Sequence, residues 1–272
     1  MQTVTSADGT TIAYDRVGEG TAGTVILIGG AFSFRESPAM TGLAQALASG
    51  YDLTVFNYDR RGRGDSADSP GTYDVANEIA DIAALVEAAG GEATLFGWSS
   101  GAVLALLAAQ SVPGIEAVVA YEPPFVVDPK DHVPPKDLAD KLNPMIAAGK
   151  RNKAARFYMT KVMGTPLLMV GTMRITPFWK KLAATADSTA HDWAVMRPYM
   201  RGQRLNAADW AGVRVPVLVL VGELTVPLLT KGGKAVSQVL PNAEFSELPG
   251  VSHDAKTAVL APVIGEFLTR AR

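Results

Sequence analysis

Five uninterrupted apolar runs of strand length constrain this chain more than any other feature: "TVILIG", "LTVFNY", "ATLFG", "EAVVAY" and "VPVLVLVG". A strand with one face in water alternates polar and apolar residues. These runs do not alternate, so they are expected to be buried on both faces, as in a parallel sheet. Between them lie segments with helical spacing, "SPAMTGLAQALAS" and "ANEIADIAALVEAAG", the second ending in glycines that suit a helix stop. Strand and helix alternate, which predicts an α/β layered fold. The start is different. Two short alternating runs flank "ADG", which predicts a hairpin with Asp8 and Gly9 at the turn.

The alternation stops near "YEPPF" and resumes at "VRVPVLVLVG". Residues 125–210 lack a buried strand pattern and read as helices, punctuated by prolines at 134, 135, 144, 166, 177 and 198. Helices inserted between two strands of one sheet form a cap, so the expected organisation is a core of residues 1–124 and 211–272 with a cap at 125–210. Seven of the nine methionines, at 145, 159, 163, 169, 173, 196 and 200, fall in that cap with Phe178, Trp179 and Trp193. Methionine-rich surfaces adapt to bulky ligands, although packing between cap helices explains many such residues equally well.

Composition narrows the function classes. At 272 residues, 48% hydrophobic and 19% charged, the chain is long enough and apolar enough for a sizeable core. A net charge of −2 offers no basic footprint for nucleic acid. The absence of cysteine excludes a thiol nucleophile, a disulfide and a thiolate metal site. The opening "MQTVTSADGT" lacks the basic start and apolar stretch of a signal peptide, so a cytoplasmic location is expected, with no membrane partner. The long apolar window "ATLFGWSSGAVLALLAAQ" is interrupted by Gly97, Ser99, Ser100 and Gly101, and reads as a buried strand followed by a buried helix.

That same window carries the strongest chemical signal. Gly97, Ser99 and Gly101 form G-x-S-x-G between strand and helix, the setting of a nucleophile elbow. A sharp turn holds the serine in a strained conformation and needs small neighbours. It also places Ser99 at a helix N-terminus, where free amides favour a developing oxyanion. A second donor is expected from the loop after the first parallel strand, "LIGGAFSF", where Gly29 and Gly30 permit close approach and the Ala31 amide would act beside that of Ser100. Of the three histidines, His132 and His191 lie in the cap. His253, in "PGVSHDAK" between the last strand and the final helix, is the expected general base. The glycines of "GEGTAG" have dinucleotide-loop spacing but lead into a strand instead of a helix, so no such cofactor is expected. The "RGD" at Arg63–Asp65 reads as part of a strand-end loop.

With "GGAF", "YDRRGRGDS", "GWSSGA" and "VSHD" in this order, the chain resembles the α/β-hydrolase superfamily over nearly its whole length. The resemblance implies a mostly parallel central sheet with flanking helices and acyl-transfer chemistry through Ser99. It also exposes a departure. The family's usual acid position falls at Thr225 in "VGELTVP", and a threonine hydroxyl cannot stabilise an imidazolium as a carboxylate does. Two candidates remain: Glu223, in the same stretch, and Glu122, at the end of the strand after the nucleophile's helix. Zearalenone lactonases and certain haloalkane dehalogenases place their acid at the latter position. A charge at the end of a buried strand needs a partner, and the two candidate strands are expected to be neighbours on one side of the nucleophile strand, roughly 4.8 Å apart. Glu122 is therefore the expected acid.

The resulting expectation is a cofactor-free, metal-free serine hydrolase of a moderately bulky apolar ester or lactone. Ser99, His253 and Glu122 would be catalytic, Ala31 and Ser100 would donate to the oxyanion, and Gly30, Phe32, Trp98, Trp179 and Trp193 would contact substrate. The alternatives are a perhydrolase using the same site, or a ligand-binding protein on a hydrolase fold. Oligomeric state is left open.

Overall fold

A computed structural model describes residues 1–271, the side chain of Phe178 excepted. The expected hairpin is present: β1 (Gln2–Thr5) pairs antiparallel with β2 (Thr11–Val17). Gly9 takes φ 86° in the turn, and the Asp8 carboxylate accepts the Thr10 amide at 3.0 Å. The five apolar runs become β3 (Thr24–Ile28), β4 (Thr54–Tyr58), β5 (Ala93–Trp98), β6 (Ile115–Tyr121) and β7 (Val217–Gly222). An outer strand, β8 (Ala243–Leu248), follows. All eight form one sheet in the order β1-β2-β4-β3-β5-β6-β7-β8, parallel from β4 through β8. This is the α/β-hydrolase fold.

The absence of alternation in the strands has its expected cause. In β3, Val25 and Leu27 face α1 (Pro38–Tyr51) and α10 (Thr257–Ala271), while Ile26 and Ile28 face α2 (Val75–Ala88) and α3 (Ser100–Ala108). Successive side chains point to opposite faces, so a sheet covered by helices on both sides calls for apolar residues at most positions, with Thr54, Asn57 and Thr94 as buried polar exceptions. The Asp74 side chain caps α2 by accepting the Ala76 amide at 2.8 Å. Gly101, in the first turn of α3, lies so close to β3 that a β-carbon there would sit 2.2 Å from the Ile28 carbonyl oxygen.

Between β6 and β7 lies a helical insert: α4 (Leu138–Ala147), α5 (Arg151–Lys161), α6 (Leu167–Met173), α7 (Pro177–Ala184) and α8 (Thr189–Met196), with short 3-10 turns at Ala186–Ser188 and Ala207–Trp210. A bridge between Val126 and Met200 draws its two ends together. The last helix of the core before β8 is α9 (Pro227–Val239). Among the described residues, no helix is long and apolar enough to cross a membrane.

Candidate active site

β5 leaves the middle of the sheet at Ser99, whose backbone takes φ 54° and ψ −117° before α3 begins at Ser100. A positive φ in a non-glycine residue stores strain that the surrounding structure must hold. Two contacts do so here: the Ser99 amide donates to the Tyr121 carbonyl of β6 at 2.8 Å, and its own carbonyl accepts the Ala102 amide at 2.9 Å. The Ser99 hydroxyl makes no capping bond to α3. It opens instead onto a cavity of about 460 Å³.

The loop after β3 reaches the same point. A β-carbon on Gly30 would lie 2.8 Å from the Trp98 carbonyl oxygen and 3.1 Å from the Ser99 β-carbon, so only glycine permits this approach. Ala31, the next residue, lines the cavity beside Ser99. Ser100 is fully buried at the first position of α3.

The structure brings His253 and Glu122 together. His253 Nδ1 lies 2.5 Å from Glu122 Oε2. The carboxylate is fully buried while the imidazole is about one third exposed and lines the cavity. Glu122 follows β6 directly, in the left-handed region at φ 48°. Its remaining contacts come from the end of β7 and the loop after it: Oε1 accepts the Gly222 amide at 2.8 Å, and Oε2 accepts the Thr225 hydroxyl at 3.0 Å. Thr225, at the family's usual acid position, thus donates to the carboxylate on the neighbouring strand. Glu223 lies apart from the imidazole, exposed, and accepts the Gly250 amide at 2.8 Å. Tyr121 supports the histidine loop by donating to the Ser252 carbonyl at 2.7 Å.

The aromatic residues expected at the substrate do not line this cavity. Trp98 packs edge-on against Phe96 and Tyr121 toward the α1 and α10 layer. Trp179 is buried with its Nε1 donating to Asn152 Oδ1 at 2.6 Å, and Trp193, on α8 of the insert, is buried in the core. Phe32, at φ 62°, meets Tyr158 edge-on, and it is Tyr158 that lines the cavity. Gly30 contributes backbone only, and the side chain of Phe178 lies outside those described. The methionines divide: 163, 169, 196 and 200 line the cavity, 196 and 200 while buried in the core, whereas Met159 is buried in the core away from the cavity lining. His132 also lines it, with Nε2 2.9 Å from the Lys161 carbonyl oxygen.

Sequence reasoning missed a charged cluster directly behind the elbow. Arg60, Glu78 and Asp192 are each at least 98% buried. Arg60 forms a two-pronged pair with Glu78, both contacts at 2.6 Å, and Arg60 Nη1 reaches Asp192 at 2.8 Å. Burial alone would disfavour the Glu78 anion, but the Arg60 guanidinium and the Tyr73 hydroxyl outweigh it and hold the carboxyl at about 2. A faint signal existed for Asp192. On α8 it stands three and four residues before the buried Val195 and Met196, so it shares their apolar face.

The chain is similar over nearly its whole length to known proteins of this fold. A family model described as "Alpha/beta hydrolase family" matches residues 25–262. A solved alpha/beta hydrolase from Sphaerobacter thermophilus is 38% identical, with 98% of this chain and 99% of that one covered and a TM-score of 0.88. A thermophilic esterase from Thermogutta terrifontis, solved with malate, is 19% identical, with 99% and 98% covered and a TM-score of 0.70. A bromoperoxidase from Bacillus anthracis is 18% identical, with 99% of each chain covered and a TM-score of 0.68. No curated protein matches the chain.

Proposed function

Because the chain belongs to the alpha/beta hydrolase family, we propose that it is a serine esterase or lactonase working through an acyl-enzyme on Ser99. The observation that carries this reading is the buried Glu122–His253 pair opening onto the cavity that Ser99 and Ala31 also line. Ser99 Oγ attacks the carbonyl carbon as His253 Nε2 takes its proton. Glu122 accepts the Nδ1 hydrogen, fixes the tautomer and stabilises the imidazolium. The amides of Ala31 and Ser100 receive the oxyanion. Collapse of the tetrahedral intermediate expels the alcohol with the histidine's proton, and water activated by the same histidine releases the acid.

The substrate class follows from the walls. Four methionines with Val162, Leu228 and Leu229 make a pliable apolar surface, suited to a moderately bulky apolar acyl or lactone group.

The test is a chromogenic ester series with native enzyme and Ser99→Ala. A burst of one equivalent of alcohol followed by steady turnover is expected, with higher kcat/KM for bulky apolar acyl groups than for short charged ones. Ser99→Ala should lose on the order of a millionfold in turnover. Native protein that binds esters without a burst or turnover would instead support the ligand-binding reading.

A further inference from the structure

The helical insert reaches past the cavity to the back of the oxyanion loop. Asp192 Oδ1, on α8, accepts three hydrogen bonds: from Ser100 Oγ at 2.6 Å, from Arg63 Nη2 at 2.7 Å and from Arg60 Nη1 at 2.8 Å. Arg63 Nη1 in turn donates to the Gly30 carbonyl at 2.6 Å and to the Ser33 carbonyl at 3.1 Å, while Arg60 Nη1 also lies 3.3 Å from the Gly29 carbonyl. The Gly30 carbonyl and the Ala31 amide belong to one peptide unit. In a trans peptide they point in opposite directions, so an arginine that holds the oxygen from behind aims the N–H forward. Asp192 also holds the side chain of Ser100, whose backbone amide is the other proposed donor.

We propose that Asp192 is a positioning residue for the oxyanion hole, acting through Arg63 on the Gly30–Ala31 peptide and through the Ser100 hydroxyl on the first turn of α3. This rests on the serine-hydrolase reading above, and it makes the insert a working part of the acyl-transfer site as well as a cover. Oxyanion donors act only when they are fixed before the charge develops. A carboxylate that clamps two guanidiniums and a hydroxyl, all buried, supplies that rigidity. Arg60 and Arg63 are balanced by Glu78 and Asp192, so removing the Asp192 charge alone leaves a buried cation in excess.

That imbalance determines the experiment. D192N is expected to lose stability as well as activity, so it is compared with the charge-balanced double variant R63M/D192N and with S99A. Each is assayed for melting temperature, for kcat and KM on one chromogenic ester, and for inhibition by a trifluoromethyl ketone, which forms an oxyanion on the serine, against inhibition by the product acid. The double variant should recover most of the melting temperature lost in D192N. Its kcat should nevertheless fall on the order of a hundredfold, as when one oxyanion donor is lost, with KM and product inhibition within about threefold. The ketone should weaken by a factor similar to the loss in kcat. A folded R63M/D192N with near-native kcat overturns the proposal, as does a ketone affinity that is unchanged while kcat falls. Full activity in S99A would instead remove the serine-hydrolase reading.

Discussion

Glu122 combines three conditions rarely met by one residue: a left-handed backbone, complete burial and a negative charge balanced only by hydrogen bonds and an imidazole. Two of its donors, the Gly222 amide and the Thr225 hydroxyl, come from the stretch where the family's acid usually stands. The three oxygen–donor contacts explain how the carboxylate tolerates its site. Glu122→Gln should lower kcat by roughly ten-thousandfold with little change in KM, because an amide cannot stabilise the imidazolium and can fix the wrong tautomer. Glu223→Gln should stay within about twofold of native, since its only role is at the exposed Gly250 amide. Thr225→Val removes a donor from a charged acceptor and should cost roughly tenfold in kcat. Steady-state kinetics of the three variants at matched folded fraction checks all of these. A crippled Glu223→Gln beside an active Glu122→Gln would reverse the assignment. The competition between these two glutamates was visible in the sequence, because a carboxylate at the end of an apolar run is an anomaly. The supporting role of Thr225 was not, since hydrogen bonding across 103 residues leaves no local pattern.

At the scale of elements, the strands were legible because a sheet covered on both faces leaves apolar residues on both sides of each strand instead of an alternation. The elbow was legible because its glycines answer a local steric demand. Gly101→Ala tests that demand. With a β-carbon placed 2.2 Å from a backbone oxygen, either α3 or β3 must shift, and the expected loss is at least the ~1–3 kcal/mol of ordinary overpacking, read by chemical denaturation. The insert was less legible. Its helices are short and broken by proline, α4 even carrying Pro144 within it, so their individual bounds left little pattern. The tryptophans illustrate the cause. Their bulk marked Trp179 and Trp193 as ligand contacts, but a large aromatic in a layer of short helices serves first to fill the space between them. Asp192 escaped for a related reason. A buried charge looks like a surface charge until its partners, here on segments more than 90 residues away, are in place.

For the whole molecule, the charged cluster joining insert to core makes stability depend on pH. Glu78 titrates at about 2 in the fold against 4.5 when free, so its contribution is complete above 4.5 and is lost as pH falls toward 2. His191, stacked on Tyr73 at 4.0 Å, is pushed below its ordinary 6.5 by burial, against the pull of Glu78 and Asp68 and with the help of Arg63 and Arg60. The unfolded chain therefore takes up that proton first, and acidification through 6.5 also destabilises the fold. The melting temperature should fall as pH drops through 6.5 and again below 4.5, the Asp59 and Asp81 carboxyls, raised by burial, opposing the second loss. His191→Phe, which keeps the stacking, should flatten the loss that begins as pH falls through 6.5 and leave the loss below 4.5 in place; an unchanged profile would remove His191 from this account. With the carboxylate seated just after β6, the end of β7 and its loop serve it through Gly222 and Thr225, while Leu224 and Val226, 66% and 58% exposed, line the cavity. Surface loops tolerate replacement, so this one is a natural place for diversification. Saturation libraries at 224 and 226 should yield mostly active clones with altered ester preference, whereas the same library at 122 should yield almost none, a contrast that a plate screen with two esters of different bulk would expose.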